Sequence, residues 1–305
     1  MLHNRNNKIS FRNLAVSIVL NSFISLAELI AGLFINSLAL ISDAVHNFSD
    51  VFALILSFIA ARVVEWDSNH KKTFGYLRIE ILAAFINSVS LVLVGGYIIF
   101  EAIHRISNPV PVAGLWIMII AGTGFIVNAA SSLLLKKDAG HNLNIKSAYL
   151  HLLTDAINSL AVIIIGALIY WFNWFILDPV ISIGIGLFVV KSAWDIVLET
   201  VHILTEGTPK GIIIPEVVNE IKSINGVISV HHLHVWSISS QFRALSAHVV
   251  VSDGMISERS FIITEIEFRL RQKFGINHPT IQLETEVCEN QSVIVSINGH
   301  QYEKE

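Results

Sequence analysis

Charge is scarce in this chain. Only 14% of its 305 residues are Asp, Glu, Lys or Arg, where soluble domains run at about a quarter. That shortage excludes a single water-soluble globule. The formal net charge of −4 gives no electrostatic basis for nucleic-acid binding. Cysteine occurs once, at Cys288, so no disulfide can form within the chain, which fits a soluble part in a reducing compartment. Six prolines are too few for a long disordered linker. The polar first eleven residues are followed by an apolar run without a small-residue cleavage site, which reads as a retained helix rather than a signal peptide. Apolar residues, by contrast, make up 53% of the chain, and the mean hydropathy is +0.63. The excess lies in the first two-thirds, so the expected class is a polytopic α-helical membrane protein with a soluble tail.

Six apolar segments are long enough to cross a hydrocarbon core of about 30 Å: roughly 14–34, 38–63, 79–100, 112–135, 145–172 and 175–198. The expected domains are a cytoplasmic N-terminal segment (1–11), a six-helix transmembrane domain (12–200), a cytoplasmic soluble domain (208–287) and a tail (288–305). If the N-terminus is inside, the inner side holds Arg5, Lys8, Arg12, Arg62, Lys71, Lys72, Arg78, Lys136, Lys137 and Lys146, and the outer loops hold Arg105. That asymmetry puts both termini in the cytoplasm.

Within this apolar sequence stand two matched pairs, His46-x-x-x-Asp50 and His151-x-x-x-Asp155. Residues four apart share one helix face, about 6 Å apart along the axis. Two such helices facing each other bring two imidazoles and two carboxylates to one point, a full tetrahedral set for zinc. A lone polar residue in a membrane helix is usually just hydrogen-bonded to a neighbour. Four ionisable groups in matched pairs point instead to a metal or proton pathway. Asp43 precedes His46 by three residues but has Ala148 as its counterpart in the second segment. It is either a residue on the way in or one near the membrane surface. Glu28, Asn21, Asn87, Asn128 and Asn158 read as interhelical hydrogen-bonders. Small residues in the fourth span (Gly122, Gly124) and the sixth (Gly184, Gly186) read as close packing points.

Beyond residue 200 the pattern changes. Pro215 opens a helix carrying Val217, Val218, Ile221 and Ile224, and Asn225-Gly226 turns the chain. Strands are expected over 227–237, 242–251 and 280–286, with a helix over 257–274 between the last two. The order αββαβ predicts a small open-faced α+β sandwich. Its histidines, His231, His232, His234, His248 and His278, together with Glu284, suggest a second metal site. Strict strand alternation would put His232 and His234 on one face and His231 on the other.

The paired His-x-x-x-Asp motifs, the six spans, and the tail segments Ser229-Val-His-His-Leu-His-Val-Trp236, Ser246-Ala-His-Val249 and His278-Pro-Thr-Ile-Gln-Leu-Glu284 resemble the cation diffusion facilitator family, in particular its zinc-exporting branch. The resemblance runs from Phe11 to Glu286. It implies a homodimeric divalent-cation/proton antiporter in a bacterial-type inner membrane, exporting metal from the cytoplasm by alternating access. It implies a transport site of His46, Asp50, His151 and Asp155, and a metallochaperone-like tail that dimerises and often binds zinc. By motif match, the tail ligands are His231, His248 and Glu284, with His234 and His278 as further candidates. Some members carry His where this chain has Ser260 and Gln282, which implies a single or shared tail site. His46, in place of the Asp of cadmium-accepting members, implies zinc. A family precedent suggests a charge pair of Arg78 with Glu206.

Two other classes remain beside the transporter. A membrane metalloenzyme would need a His-Glu-x-x-His motif or an open coordination position, and the quartet offers neither, so no catalytic residue is expected. A membrane metal sensor without transport is the second rival. Within transport, Cd²⁺, Co²⁺, Fe²⁺ and Mn²⁺ stand beside Zn²⁺, with Mn²⁺ preferring more oxygen.

Overall fold

The computed structural model describes residues 2–64, 66, 68–136, 143–254, 256–286 and 292–294. Six long helices come first: α1 (Leu2–Ile35), α2 (Leu38–Val64), α3 (Arg78–Ser107), α4 (Gly114–Lys136), α5 (Leu143–Phe172) and α6 (Leu177–Leu204). They coincide with the six predicted spans, α4 and α6 beginning two residues after the predicted starts, and several outrun them. Helix α1 begins in the polar segment and α3 continues to Ser107, because hydropathy marks the part of a helix that meets lipid, not the helix itself. Among the described residues, Arg78–Ser107, Gly114–Lys136, Tyr149–Phe172 and Leu177–Leu204 are long and apolar enough to cross a membrane, and α1 adds the shorter apolar stretch Val19–Ile35.

The chain divides into two compact units: Met1–Ile59 with Ile86–Val197, and Ala60–Phe85 with Leu198–Glu305. In the first, large apolar side chains such as Phe23, Leu93, Phe100, Ile126 and Leu133 point outward, while Asn21, Ser25, Glu28, Asp43 and Asp155 are buried. This inversion of the soluble pattern fits a helical bundle solvated by lipid. Helices α4 and α5 pack closely, since a Cβ on Gly114 would lie 2.6 Å from the Gly166 carbonyl oxygen. Of the small residues singled out in the sequence, Gly124 and Gly186 meet neighbouring helices, whereas Gly122 and Gly184 have nothing within 4 Å of an added Cβ.

The start of α2 is held by Asp178, the second residue of α6. Ser37 Oγ donates to its carboxylate at 2.5 Å, and the amides of Leu38 and Ala39 donate at 2.9 and 3.2 Å. A buried carboxylate here satisfies free amides at the helix N-terminus and opposes its positive end. Nothing in the hydropathy pattern singles out Asp178, which lies at the edge of a predicted span.

The second unit contains α7 (Ile214–Lys222), β1 (Val227–Ser237), β2 (Arg243–Val251), α8 (Ile256–Phe274) and β3 (Ile276–Glu284), the predicted αββαβ order. The sheet runs β1-β2-β3, with β1 antiparallel and β3 parallel to β2. Val217 and Ile221 of α7 and Ile262, Ile266 and Leu270 of α8 bury against Val230, Leu233, Val235, Leu245 and Val249 of the sheet. Strand β3 begins before Pro279, which the sequence pattern placed ahead of the strand. As an edge strand it tolerates a residue without an amide hydrogen. Past β3, the segment 292–294 lies along β1. The Leu233 amide donates to Val293 O at 2.7 Å and the His232 amide to Ser292 O at 3.3 Å, with Val293 packed on the core.

Candidate metal centres

In the bundle, His46 comes from α2, and His151 and Asp155 come from α5. The i,i+4 spacing aligns the α5 pair, with His151 Nε2 3.6 Å from Asp155 Oδ2. From α2, His46 Nε2 lies 3.8 Å from the other oxygen, Asp155 Oδ1. The imidazole centroids are 6.4 Å apart and nearly perpendicular. Phe188 of α6 meets the His46 ring edge-on at 5.9 Å and limits its rotation. Asp155 is buried, and each of its oxygens faces a different imidazole. Two ligands on a zinc tetrahedron lie about 3.4 Å from each other, given metal–ligand bonds near 2.1 Å. The observed separations are within half an ångström of that. Asp50 lies in α2, one turn beyond His46, but its side chain is outside the described residues. Asp43 is fully buried within the bundle.

In the second unit the structure gathers His231, His232 and His248, with one ring nitrogen of each within 4.8 Å of the others. Glu284 closes the group, 3.1 Å from His231 Nε2 and 2.7 Å from His248 Nδ1. Gln282 Nε2 donates to Glu284 Oε1 at 2.8 Å and orients it. Three imidazoles and a carboxylate make another tetrahedral donor set.

Strand alternation failed at His232. Between His231↔His248 and His234↔Ser246 the strand β1 carries one residue more than β2, a β-bulge, and His232 takes a left-handed φ of 49°. The bulge turns His232 to the side of His231 and His248, with ring centroids at 5.3 and 4.8 Å, instead of pairing it with His234. The amides of the bulge are taken up by the 292–294 segment, which no strand pattern announced. Partial burial, then repulsion from His248 and His231, holds the His232 imidazolium below its ordinary pKa, while Glu284 pulls the other way. The neutral imidazole is the form that binds metal.

The other two predicted tail residues lie elsewhere. His234 is exposed and lines a cavity of about 790 Å³ with Lys72, Tyr76, Arg78, Trp236 and Ser246. His278 meets Phe74 edge-on at 5.6 Å and lies near Phe242. Arg78 Nη2 lies 3.0 Å from Glu206 Oε1, both within this unit and both largely exposed.

Residues 14–205 match the cation efflux transmembrane domain, and residues 209–286 match the cation efflux protein, cytoplasmic domain. The chain is 41% identical to the cadmium, cobalt and zinc/H(+)-K(+) antiporter of Bacillus subtilis, over 97% of this chain and 96% of that protein. It is 34% identical to the metal cation efflux system protein CzcD of Cupriavidus metallidurans, over 94% and 91% of the two chains. It is also 34% identical to the zinc transporter ZitB of Escherichia coli, over 91% and 89%.

Proposed function

We propose a function from one premise: the chain belongs to the cation efflux family. It exports a divalent metal ion, Zn²⁺ first among the candidates, from the cytoplasm in exchange for protons. The cargo is held by His46, Asp50, His151 and Asp155. The observation that carries this reading is Asp155, buried between imidazoles from two helices. Zinc ranks first because two imidazoles and two carboxylates suit it, and because relatives are named for zinc. Cd²⁺ and Co²⁺ follow, as they appear with zinc in the name of the Bacillus subtilis relative, and that name also makes K⁺ a second counter-ion.

The exchange follows from ligand chemistry. A carboxylate and a neutral imidazole bind metal only when deprotonated, so Zn²⁺ and H⁺ compete for the same atoms. Open to a near-neutral cytoplasm, the site loads metal. Open outward, it gives metal up as protons arrive. An empty, unprotonated site leaves uncompensated carboxylates within the bilayer, which disfavours crossing without a load. Net export then follows the proton gradient.

The second unit is the cytoplasmic domain of a homodimer. His231, His232, His248 and Glu284 would hold a regulatory zinc there, and their donor set fits one. Both termini face the cytoplasm on the charge distribution of the loops, and the membrane is a bacterial-type inner membrane. No catalytic residue is assigned.

The test is Zn²⁺ uptake into proteoliposomes under an imposed pH gradient, wild type against Asp155→Ala. Gradient-driven uptake that disappears in the variant is the expected result. Equal uptake by both would move the pathway away from these residues. No uptake by either, with Zn²⁺, Cd²⁺ or Co²⁺, would favour a metal sensor without transport.

A further inference from the structure

The bundle holds another group of buried polar side chains, and none of them offers an imidazole. Glu28 of α1 is 1% exposed and Asp43 of α2 is 0% exposed. Asn47, one turn after Asp43, is buried too, as are Asn128 of α4 and Ser159 of α5. Among the described residues, the oxygens of Glu28 and Asp43 meet no cationic side chain, only the neutral side chains of Asn47 and Ser159, and Asn128 Oδ1 has no hydrogen-bond partner. The expectation that Glu28 bonds to a neighbouring helix is met by Asn47 of α2, whereas Asn128 Oδ1 has no partner among the described residues.

These side chains converge. Glu28 Oε1 occupies the space that a Cβ on Gly124 would take, and Ser159 Oγ lies 3.5 Å from that same point. Asn47 flanks Glu28, Ser159 flanks Asp43, and the two carboxylates are close enough to repel each other. Asn128 follows Gly124 by one turn on the same helix face. Four helices thus contribute oxygen atoms to one interior region.

Buried carboxylates without a cationic partner are strongly unfavourable unless a positive charge compensates them. We propose that Glu28, Asp43, Asn47, Asn128 and Ser159 form a second cation site in the bundle, made of oxygen alone and suited to a hard alkali or alkaline-earth ion. Carboxylate, amide and hydroxyl oxygens are the donors that such ions take in sets of about six to eight. Zinc favours the nitrogen-containing centre next to it. The two sites share structure. Asp43 and Asn47 lie on the α2 stripe that carries His46 and Asp50, and Ser159 is one turn beyond Asp155. A charge bound at one is felt at the other. The inference stands whichever divalent ion is the cargo.

Equilibrium dialysis of the full-length, metal-stripped protein against ⁸⁶Rb⁺, and separately against ⁴⁵Ca²⁺, tests it. Wild type is expected to retain about one of these ions per protomer; Rb⁺ retention identifies an alkali ion and Ca²⁺ retention an alkaline-earth ion. Glu28→Gln and Asp43→Asn should each weaken that binding at least tenfold. Size-exclusion elution and helical circular dichroism of the same preparations should match wild type and so report an intact fold. Retention of neither ion by wild type would overturn the proposal, since the carboxylates would then simply be protonated. Unchanged Rb⁺ and Ca²⁺ binding in both variants would overturn it as well. Should Glu28→Gln fail to fold, the wild-type measurement and Asp43→Asn still decide.

Discussion

The bundle centre and the sheet centre draw on the same residue types but hold them by different means. In the bundle, helical periodicity alone sets His151 above Asp155, and the partner imidazole of His46 arrives from another helix. Each helix keeps its own hydrogen bonds, so a rigid-body shift of α2 against α5 can part the ligands without breaking any main-chain bond. In the sheet, His231, His248 and Glu284 stand on three strands tied by ladder hydrogen bonds, and the extra residue of a bulge adds His232. Parting those ligands means tearing the sheet. A divided set suits an ion that must leave, and a pinned set suits one that stays.

The sharpest way to break this contrast is to disable each centre in turn and count both zinc and flux. Asp155→Ala should abolish gradient-driven uptake, a loss of more than about 100-fold, while the purified protein keeps the zinc bound by its sheet centre. His248→Ala should do the reverse, weakening the sheet zinc by about 10- to 100-fold with a smaller effect on flux. If His248→Ala removed transport as completely as Asp155→Ala, the two centres would not have separate roles.

A smaller effect is expected from pH. The His232 pKa is lowered by folding, first by burial and then by its histidine neighbours. The unfolded chain therefore takes up more protons at this position as pH falls through the ordinary histidine value near 6.5. Stability is lost on acidification and is unaffected well above that pH. In chelator, the apparent Tm of the metal-free protein should fall from pH 7.5 to 5.5, and His232→Gln should flatten the slope. An unchanged slope would mean that His232 does not carry this dependence.

The smallest effect belongs to Arg78 and Glu206. At 3.0 Å but largely exposed, the pair is worth no more than about 1 kcal/mol. Arg78→Glu or Glu206→Arg should lower thermal stability slightly, and the double swap should restore it. Failure of the swap to rescue would show that the contact contributes no energy of its own.

Much of this was legible residue by residue. His46, His151 and Asp155 stand out because ionisable groups are rare in apolar runs and a spacing of four has only one meaning on a helix. The αββαβ order was legible from periodicity and from turn residues such as Asn225-Gly226, where Gly226 adopts φ 92°. His232 was misread because alternation presumes an unbroken ladder, and a bulge leaves no mark in apolar patterning. Asp178 was missed because its partners, the amides of Leu38 and Ala39, lie about 140 positions away. Glu28 and Asp43 were seen, but that no cation faces them among the described residues becomes visible only once neighbouring helices are in position.

Sequence alone determined the helical membrane domain, the i,i+4 spacing of His and Asp on two helices and the composition of the tail, because those depend on local periodicity and on the cost of charge in an apolar phase. Tertiary structure decided which side chains meet: one carboxylate between two imidazoles, three histidines on one side of a bulged strand, and five oxygen-bearing side chains enclosed by four helices. Distance in space between residues far apart in the chain is set by packing, and no local pattern encodes it.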